Sequence, residues 1–96
     1  MVDPIVVPYE TEICTAIKRR LEIEFTVGGA PVRFQPHILF VTLAGSRILR
    51  GVQTGAGWTE FTANQVKNVT VTNRPFNPDP AFDPRNPRYH DIRGIV

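Results

Sequence analysis

Four arginines and one tryptophan are the residues of this chain best suited to binding chemistry. Arg33, Arg47 and Arg50 lie on consecutive predicted strands, and Arg74 follows the fifth. A guanidinium group binds phosphate or carboxylate through two parallel hydrogen bonds, so these residues indicate an anionic ligand. Trp58 stands between a glycine and a threonine, and its ring is predicted either to stack on a base or to fill one end of the core.

The spacing and surroundings of the arginines limit this prediction. Arg47 and Arg50 are three residues apart, so on a regular strand they face opposite sides and at most one lines a given groove. Residues 18–74 carry eight bases against three acids, a balance of +5, although the whole chain has a net charge of only +2. A mildly basic section favours anionic partners, but strong nucleic-acid binders have denser clusters.

The sequence offers no catalytic or metal site. Ser46, the only serine, lies in a predicted hairpin turn, and Cys14, the only cysteine, lies beside the apolar stripe of a predicted helix. His37 and His90 lack the close spacing of metal ligands, and His37 is predicted to be a strand residue with an ordinary hydrogen-bond partner. Phosphate-binding glycine loops are absent. We therefore predict a protein that is not an enzyme, with no catalytic residue, metal or cofactor.

Length and composition indicate one small domain. The 96 residues, of which 42% are hydrophobic, suffice for a single compact core. No apolar run approaches the length of a membrane span, so no membrane partner is expected. The first residues are acidic and interrupted by Pro4, unlike a secretory signal, and one cysteine excludes an internal disulfide. The expected location is the cytoplasm.

Hydrophobic periodicity predicts the elements that position the candidate residues. Residues 1–9 are expected to form an extended lead-in. A helix is predicted over residues 10–20, with Thr11 as its N-cap. Its apolar stripe, at i, i+3, i+4 and i+8, consists of Ile13, Ala16, Ile17 and Leu21.

From Leu21 onward the period changes to two, as in half-buried strands. Strands are predicted over residues 21–27, 32–43, 47–53, 58–62 and 67–72, with a single helical turn over 63–66. Gly28-Gly29 suits a tight hairpin. The second strand is apolar on both faces over residues 38–41, so it is expected either to be covered on both faces or to bulge and bend near Pro36. One helix followed by five short strands predicts a mainly β (α+β) fold, with the strands closed into a small antiparallel barrel.

Residues 75–96 differ from the rest, since five prolines between Arg74 and Ile92 oppose regular structure. Composition alone indicates a disordered tail. However, Phe76, Phe82, Tyr89 and Ile92 recur at short intervals, which a solvated linker does not need. We therefore predict a strap that lies across the barrel.

A series of short motifs runs through residues 16–83. It consists of Ala16-Ile17 with Arg19-Arg20, Phe25 with Gly28-Gly29, Arg33, Pro36-His37, Arg47-Ile48-Leu49-Arg50-Gly51, Phe61 to Val66, and Phe76. In order and spacing this series resembles the WYL domain, especially the small stand-alone WYL-like proteins of bacteria. The segment beginning at Arg47 occupies the place of the Trp-Tyr-Leu motif, and the segment beginning at Phe61 that of a Phe-Arg-Leu-Asp-Arg-Ile element.

The resemblance implies an Sm/SH3-like five-stranded barrel after a helix, here over residues 10–74. It also implies a regulatory, ligand-sensing module of the kind found in bacterial transcription factors and defence systems, with nucleotides or nucleic acids held by basic residues. His37 stands at the Pro-His position of that family. The candidate ligand-binding residues are therefore Arg33, His37, Arg47, Arg50, Trp58 and Arg74.

Two functions of different classes remain open. The first is a non-enzymatic sensor of a small anionic molecule, nucleotide or single-stranded nucleic acid. The second is a protein-interaction or assembly module, in which an exposed edge strand pairs with a partner protein or a second copy of the chain. The +5 balance favours the first function. The second function is favoured by Thr62 and Gln65. They replace the two arginines of the family element, and those arginines belong to the anion site that the resemblance implies.

Overall fold

The computed structural model describes residues 9–96 of the chain. The protein is mainly β with one N-terminal helix. Its elements are α1 (Glu10–Arg19), β1 (Leu21–Val27), β2 (Ala30–Val41), β3 (Arg47–Gln53), β4 (Gly57–Thr62), a 3₁₀ turn (Ala63–Gln65), β5 (Lys67–Pro75) and β6 (Asp91–Ile95). Within residues 9–96, the helices are too short or too polar to cross a membrane.

The strands form one antiparallel sheet in the order β4-β3-β2-β1-β5, with β6 paired to β2. This sheet is open. β4 pairs with β3 and β5 pairs with β1, but β4 and β5 have no ladder between them. The closed five-stranded barrel predicted from the sequence is therefore not confirmed, because closure requires that missing pairing.

Strand β2 is long and bends at its middle. Its ladder with β3 shifts register between Pro36 and Ile38, which leaves His37 as the extra residue of a bulge. Proline has no N–H to donate, so it is tolerated where a ladder is interrupted. Before the bulge β2 pairs with β1, and after it β2 pairs with β6. The bulge predicted near Pro36 is confirmed, and residues 36–40 are also buried on both faces of the strand, which is the other alternative.

Helix α1 packs on one face of the sheet. The rings of Phe25, Phe34 and Phe61 meet edge to face there, with centroids 5.4–5.7 Å apart. We call this region the helix-side core, and its buried members are all apolar: Ile13, Ala16, Ile17, Ile23, Phe25, Val32, Phe34, Leu39, Leu49, Ala63 and Val66.

Two details of the chain ends differ from the predictions. The N-cap of α1 is Tyr9, which has a left-handed backbone and makes no side-chain cap, whereas Thr11 lies inside the helix. The lead-in predicted for residues 1–9 lies outside the described residues, apart from Tyr9. At the other end, β6 is a strand where the sequence predicted none.

Residues 76–90, which we call the strap, contain three consecutive turns of one type. Asp79 Oδ1 accepts the Ala81 N–H at 2.8 Å, and the Asp79 carbonyl accepts the Phe82 N–H at 2.9 Å. The same two bonds recur in the turns that begin at Asp83 and Asn86. Proline follows the first residue of each turn, and its fixed φ together with the side-chain cap specifies the turn.

Alternation along the strands places the strap on the sheet face opposite α1. Leu39 and Leu49 belong to the helix-side core, whereas their neighbours Phe40 and Arg50 contact residues on the other face. We call this second region the strap layer; it consists of His37, Phe40, Arg50, Trp58, Glu60, Phe76, Phe82, Arg88 and Tyr89.

Candidate functional site

The strap layer is built around a series of aromatic rings. The Trp58 and Phe82 rings are nearly parallel, with centroids 6.0 Å apart and planes at 18°. Phe82 stacks in turn against Tyr89 at 6.0 Å and 25°, and Tyr89 contacts Phe40 at 4.8 Å. Phe76, only 8% exposed, closes the inner side of the layer.

His37 ties the strap to the sheet. Its side chain is fully buried and its ring lies 4.9 Å from Trp58, 5.2 Å from Phe76 and 5.6 Å from Phe82. Nδ1 lies 2.8 Å from the Gln35 carbonyl oxygen, and Nε2 accepts the Asp79 N–H at 2.9 Å.

These two bonds define the charge state of His37. A carbonyl can only accept and an amide N–H can only donate, so Nδ1 carries the proton and Nε2 does not. Burial lowers the pKa of His37, although the Gln35 carbonyl and the charge of Asp79 oppose this change. A neutral imidazole therefore holds the strap to the sheet.

One carboxylate joins two arginines beside these rings. Glu60 Oε1 accepts a hydrogen bond from Arg50 at 2.9 Å, across the β3–β4 ladder. Arg88 of the strap binds both oxygens of Glu60, at 2.7 and 3.1 Å. The Arg88 hydrogen bond is the main reason that the pKa of Glu60 is lowered. The Arg50 guanidinium also lies 5.0 Å from the centre of the Trp58 ring, a cation–π contact.

A cavity of about 270 Å³ opens between β3, β4 and the strap. Pockets for drug-sized ligands are about 300–1,000 Å³, so this one suits a single ring system. We call it the strap cavity; it is lined by Arg50, Trp58, Ala81, Phe82, Asp83, Asn86 and Tyr89. Three aromatic side chains supply its walls, and a guanidinium, a carboxylate and an amide supply its polar groups.

The structure divides the six predicted ligand-binding residues among separate places. Arg50 and Trp58 line the strap cavity, and His37 lies beneath them. Arg33 and Arg74 converge on Glu22, at 3.3 and 3.2 Å, on the outer side of β1, and Arg74 also binds Glu24.

Arg47 lies apart from both groups and pairs with Glu10 of α1 at 3.2 Å. Arg47 and Arg50 are three residues apart on β3, so their side chains lie on opposite faces of the sheet, as the sequence predicted.

Sequence reasoning missed the polar lining that the strap supplies. Asp83 and Asn86 were not singled out, and neither was the link between Glu60 and Arg88. A signal was present, because Asp79, Asp83 and Asn86 each precede a proline and share the same turn chemistry. This repeat places the carboxylate and the amide in adjoining turns.

Comparisons of the chain with protein-family models, with curated proteins and with solved structures give no match. The resemblance to WYL domains therefore rests on the order of motifs in the sequence. Among residues 9–96, no group of three or more His, Cys, Asp or Glu side chains is placed to hold a metal ion.

Proposed function

We propose that this protein is a non-enzymatic, WYL-like ligand-sensing module that binds a nucleotide or short single-stranded nucleic acid in the strap cavity. The observation that carries the proposal is the convergence of Arg50 with Trp58, Phe82 and Tyr89 around one opening. Stacking of a base on an aromatic side chain contributes about 1–3 kcal/mol and tolerates any base. Three such side chains at one cavity favour a planar ligand.

The charge of Arg50 supports the anionic part of this proposal. Among the described residues its guanidinium donates one hydrogen bond, to Glu60, although it carries five N–H groups. Arg50 and Arg88 share the single charge of Glu60, and the other carboxylate of the cavity, Asp83, lies on the strap rather than on β3. A phosphate attached to a base in the cavity therefore finds a cation that retains free donors.

The test is an NMR chemical-shift titration of the whole chain with mononucleotides and a six-nucleotide DNA strand at several salt concentrations. We expect shifts confined to Arg50, Trp58 and residues 81–89, and an affinity that falls as salt rises. Arg50→Ala should weaken binding about tenfold. Arg33→Ala is the matched control, since Arg33 is also a strand arginine paired with a glutamate, and it should have little effect. Absence of any shift in the strap cavity would refute the proposal.

The open sheet favours a second candidate, an interaction module for a protein partner or a second copy of the chain. Within the described residues, the outer edges of β4 and β5 have no strand beside them. Such edges can accept a further strand through backbone hydrogen bonds. This candidate predicts concentration-dependent shifts of β4 or β5 amides and a larger mass in sedimentation, with no response to nucleotides.

A further inference from the structure

We propose that the strap cavity selects guanine over the other bases, through Asp83 and Asn86. This inference rests on the proposed function, since it names the base that the same cavity recognises. It concerns the polar edge of the ligand, whereas the stacking argument concerns only its faces.

The two strap residues present complementary free groups. Asp83 Oδ1 accepts the Arg85 N–H at 2.9 Å, and among the described residues Oδ2 has no hydrogen-bond partner. Asn86 Oδ1 accepts the Arg88 N–H at 3.0 Å, so the turn fixes the amide with its NH₂ group unused. The cavity therefore offers a carboxylate acceptor and an amide donor from adjoining turns.

Guanine is the base whose edge matches this pair. Its N1–H and N2–H groups are adjacent donors, which a carboxylate can accept together, and its neighbouring O6 can accept from the Asn86 amide. Adenine and cytosine each place a ring-nitrogen acceptor beside their amino group, and that acceptor would face the Asp83 carboxylate. Hypoxanthine keeps N1–H and O6 but lacks the N2 amino group, so it loses one of the two donors.

The charge distribution of the cavity agrees with a guanine nucleotide. Asp83 and Asn86 belong to the strap, whereas Arg50 lies on β3. The base edge and the phosphate of a nucleotide need opposite partners, and the cavity supplies a carboxylate and a guanidinium from different walls. Trp58 and Phe82 stack on each other and both line the cavity, so they supply apolar surface at its wall.

The experiment is calorimetric titration of the whole protein with GMP, IMP, AMP and UMP. We expect GMP to bind about tenfold more tightly than IMP, because hypoxanthine lacks one of the two donors that the Asp83 carboxylate accepts from guanine. AMP and UMP should bind no better than IMP. Asp83→Asn should abolish the preference for GMP, because GMP loses its carboxylate acceptor while AMP no longer places a ring-nitrogen acceptor against a carboxylate.

This substitution is suited to the test because asparagine supports the same turn. Asn86 already caps an identical Asx-proline turn in this chain, so Asp83→Asn should have the same melting temperature as the wild-type protein. Asp91→Asn is the matched control, since Asp91 is exposed and pairs with Arg93 rather than lining the cavity. It should retain the preference for GMP.

Three outcomes would contradict the inference. Equal affinity for all four nucleotides would overturn the selectivity but leave the proposed function standing. Binding of none of them would overturn the proposed function as well. An undiminished preference for GMP in Asp83→Asn would show that Asp83 does not read the base.

Discussion

The two faces of this sheet are built from different chemistry, although they share the same strands. Leu39 and Phe40 are sequence neighbours, yet the first packs under α1 and the second under the strap. The helix-side core is apolar and buried. The strap layer contains stacked rings, a buried imidazole, an ion-pair cluster and a cavity. Strand alternation thus gives one face an apolar core and the other a mixed layer of rings and charged groups.

The two layers are also held by interactions of different strength. Burial of apolar surface contributes about 25 cal/mol per Å², and the helix-side core gains this over its whole area. The strap is held by aromatic pairs, single hydrogen bonds and partly exposed ion pairs, each worth on the order of 1 kcal/mol. The strap layer should therefore open at lower free energy than the core.

The largest effect should come from the helix-side core. Phe34 is fully buried between Phe25 and Phe61, so Phe34→Ala leaves a cavity and should cost about 3–5 kcal/mol. This loss is comparable to the whole stability of a small domain. Urea denaturation followed by circular dichroism measures it. A loss below about 1 kcal/mol would show that the core is not the stabilising layer.

The next effect concerns pH and belongs to the strap layer. The pKa of His37 is lowered in the folded protein, whereas in the unfolded chain it keeps its ordinary value of 6.5. As the pH falls below 6.5, the unfolded chain therefore binds a proton more readily than the folded protein. Stability should therefore be complete above that value and decline as the pH falls through it, by at most about 1.4 kcal/mol per pH unit.

The measurement is urea denaturation at a series of pH values from 7.5 to about 5. His90→Gln should keep the decline, because His90 is the other histidine and is exposed. His37→Gln should remove it. If His37→Gln keeps the same slope, another group is responsible. The lowered pKa of Glu60 adds a separate decline, confined to pH values below its ordinary 4.5.

Phe82→Ala should have a smaller effect on stability than Phe34→Ala. Phe82 is partly exposed, so the loss should be about 1 kcal/mol, below the 1.5–3 kcal/mol of a fully buried ring. Nucleotide binding should nevertheless disappear, because Phe82 forms a wall of the strap cavity. Thermal melts and the NMR titration separate the two effects. A loss equal to that of Phe34→Ala would mean that the two layers form one cooperative core.

The smallest effect should come from the ion-pair cluster. Arg88 is 52% exposed, so Arg88→Ala should cost less than about 1 kcal/mol, and the loss should shrink at high salt. Glu60 keeps Arg50 as a partner in this variant. A larger, salt-insensitive loss would indicate that the contact of Arg88 with the Phe40 ring matters more than its charge.

Local patterns predicted most of the fold. The period of two and the glycine pair predicted β1 and its hairpin, and Gly28 and Gly29 do adopt positive φ. The range predicted for β3 is the observed one. The predicted closure of the strands into a barrel is not confirmed, because closure depends on a pairing of β4 with β5 that no local pattern reveals. The sequence did not predict β6, because its first residues are exposed, show little alternation of apolar and polar side chains, and follow a run of prolines.

The candidate site was predictable only in part. Arg50 and Trp58 were identified from residue type, but their proximity depends on the β3–β4 register, which pairs Trp58 with Val52 and Arg50 with Glu60. Arg33 and Arg74 were chosen for their charge alone, and the sequence did not show that glutamates of β1 neutralise them. Long-range contacts of this kind leave no local pattern.

Trp58 has a practical consequence as the only tryptophan of the chain. Its indole lies against His37, Arg50 and Phe82, so its intrinsic fluorescence reports on the strap layer alone. Far-ultraviolet circular dichroism reports instead on the helix and the strands. In a urea titration the emission should change at a lower concentration than the dichroism if the strap detaches first, and the two curves should coincide if both faces unfold together. The molecule thus carries a natural optical label in the strap layer and none in the helix-side core.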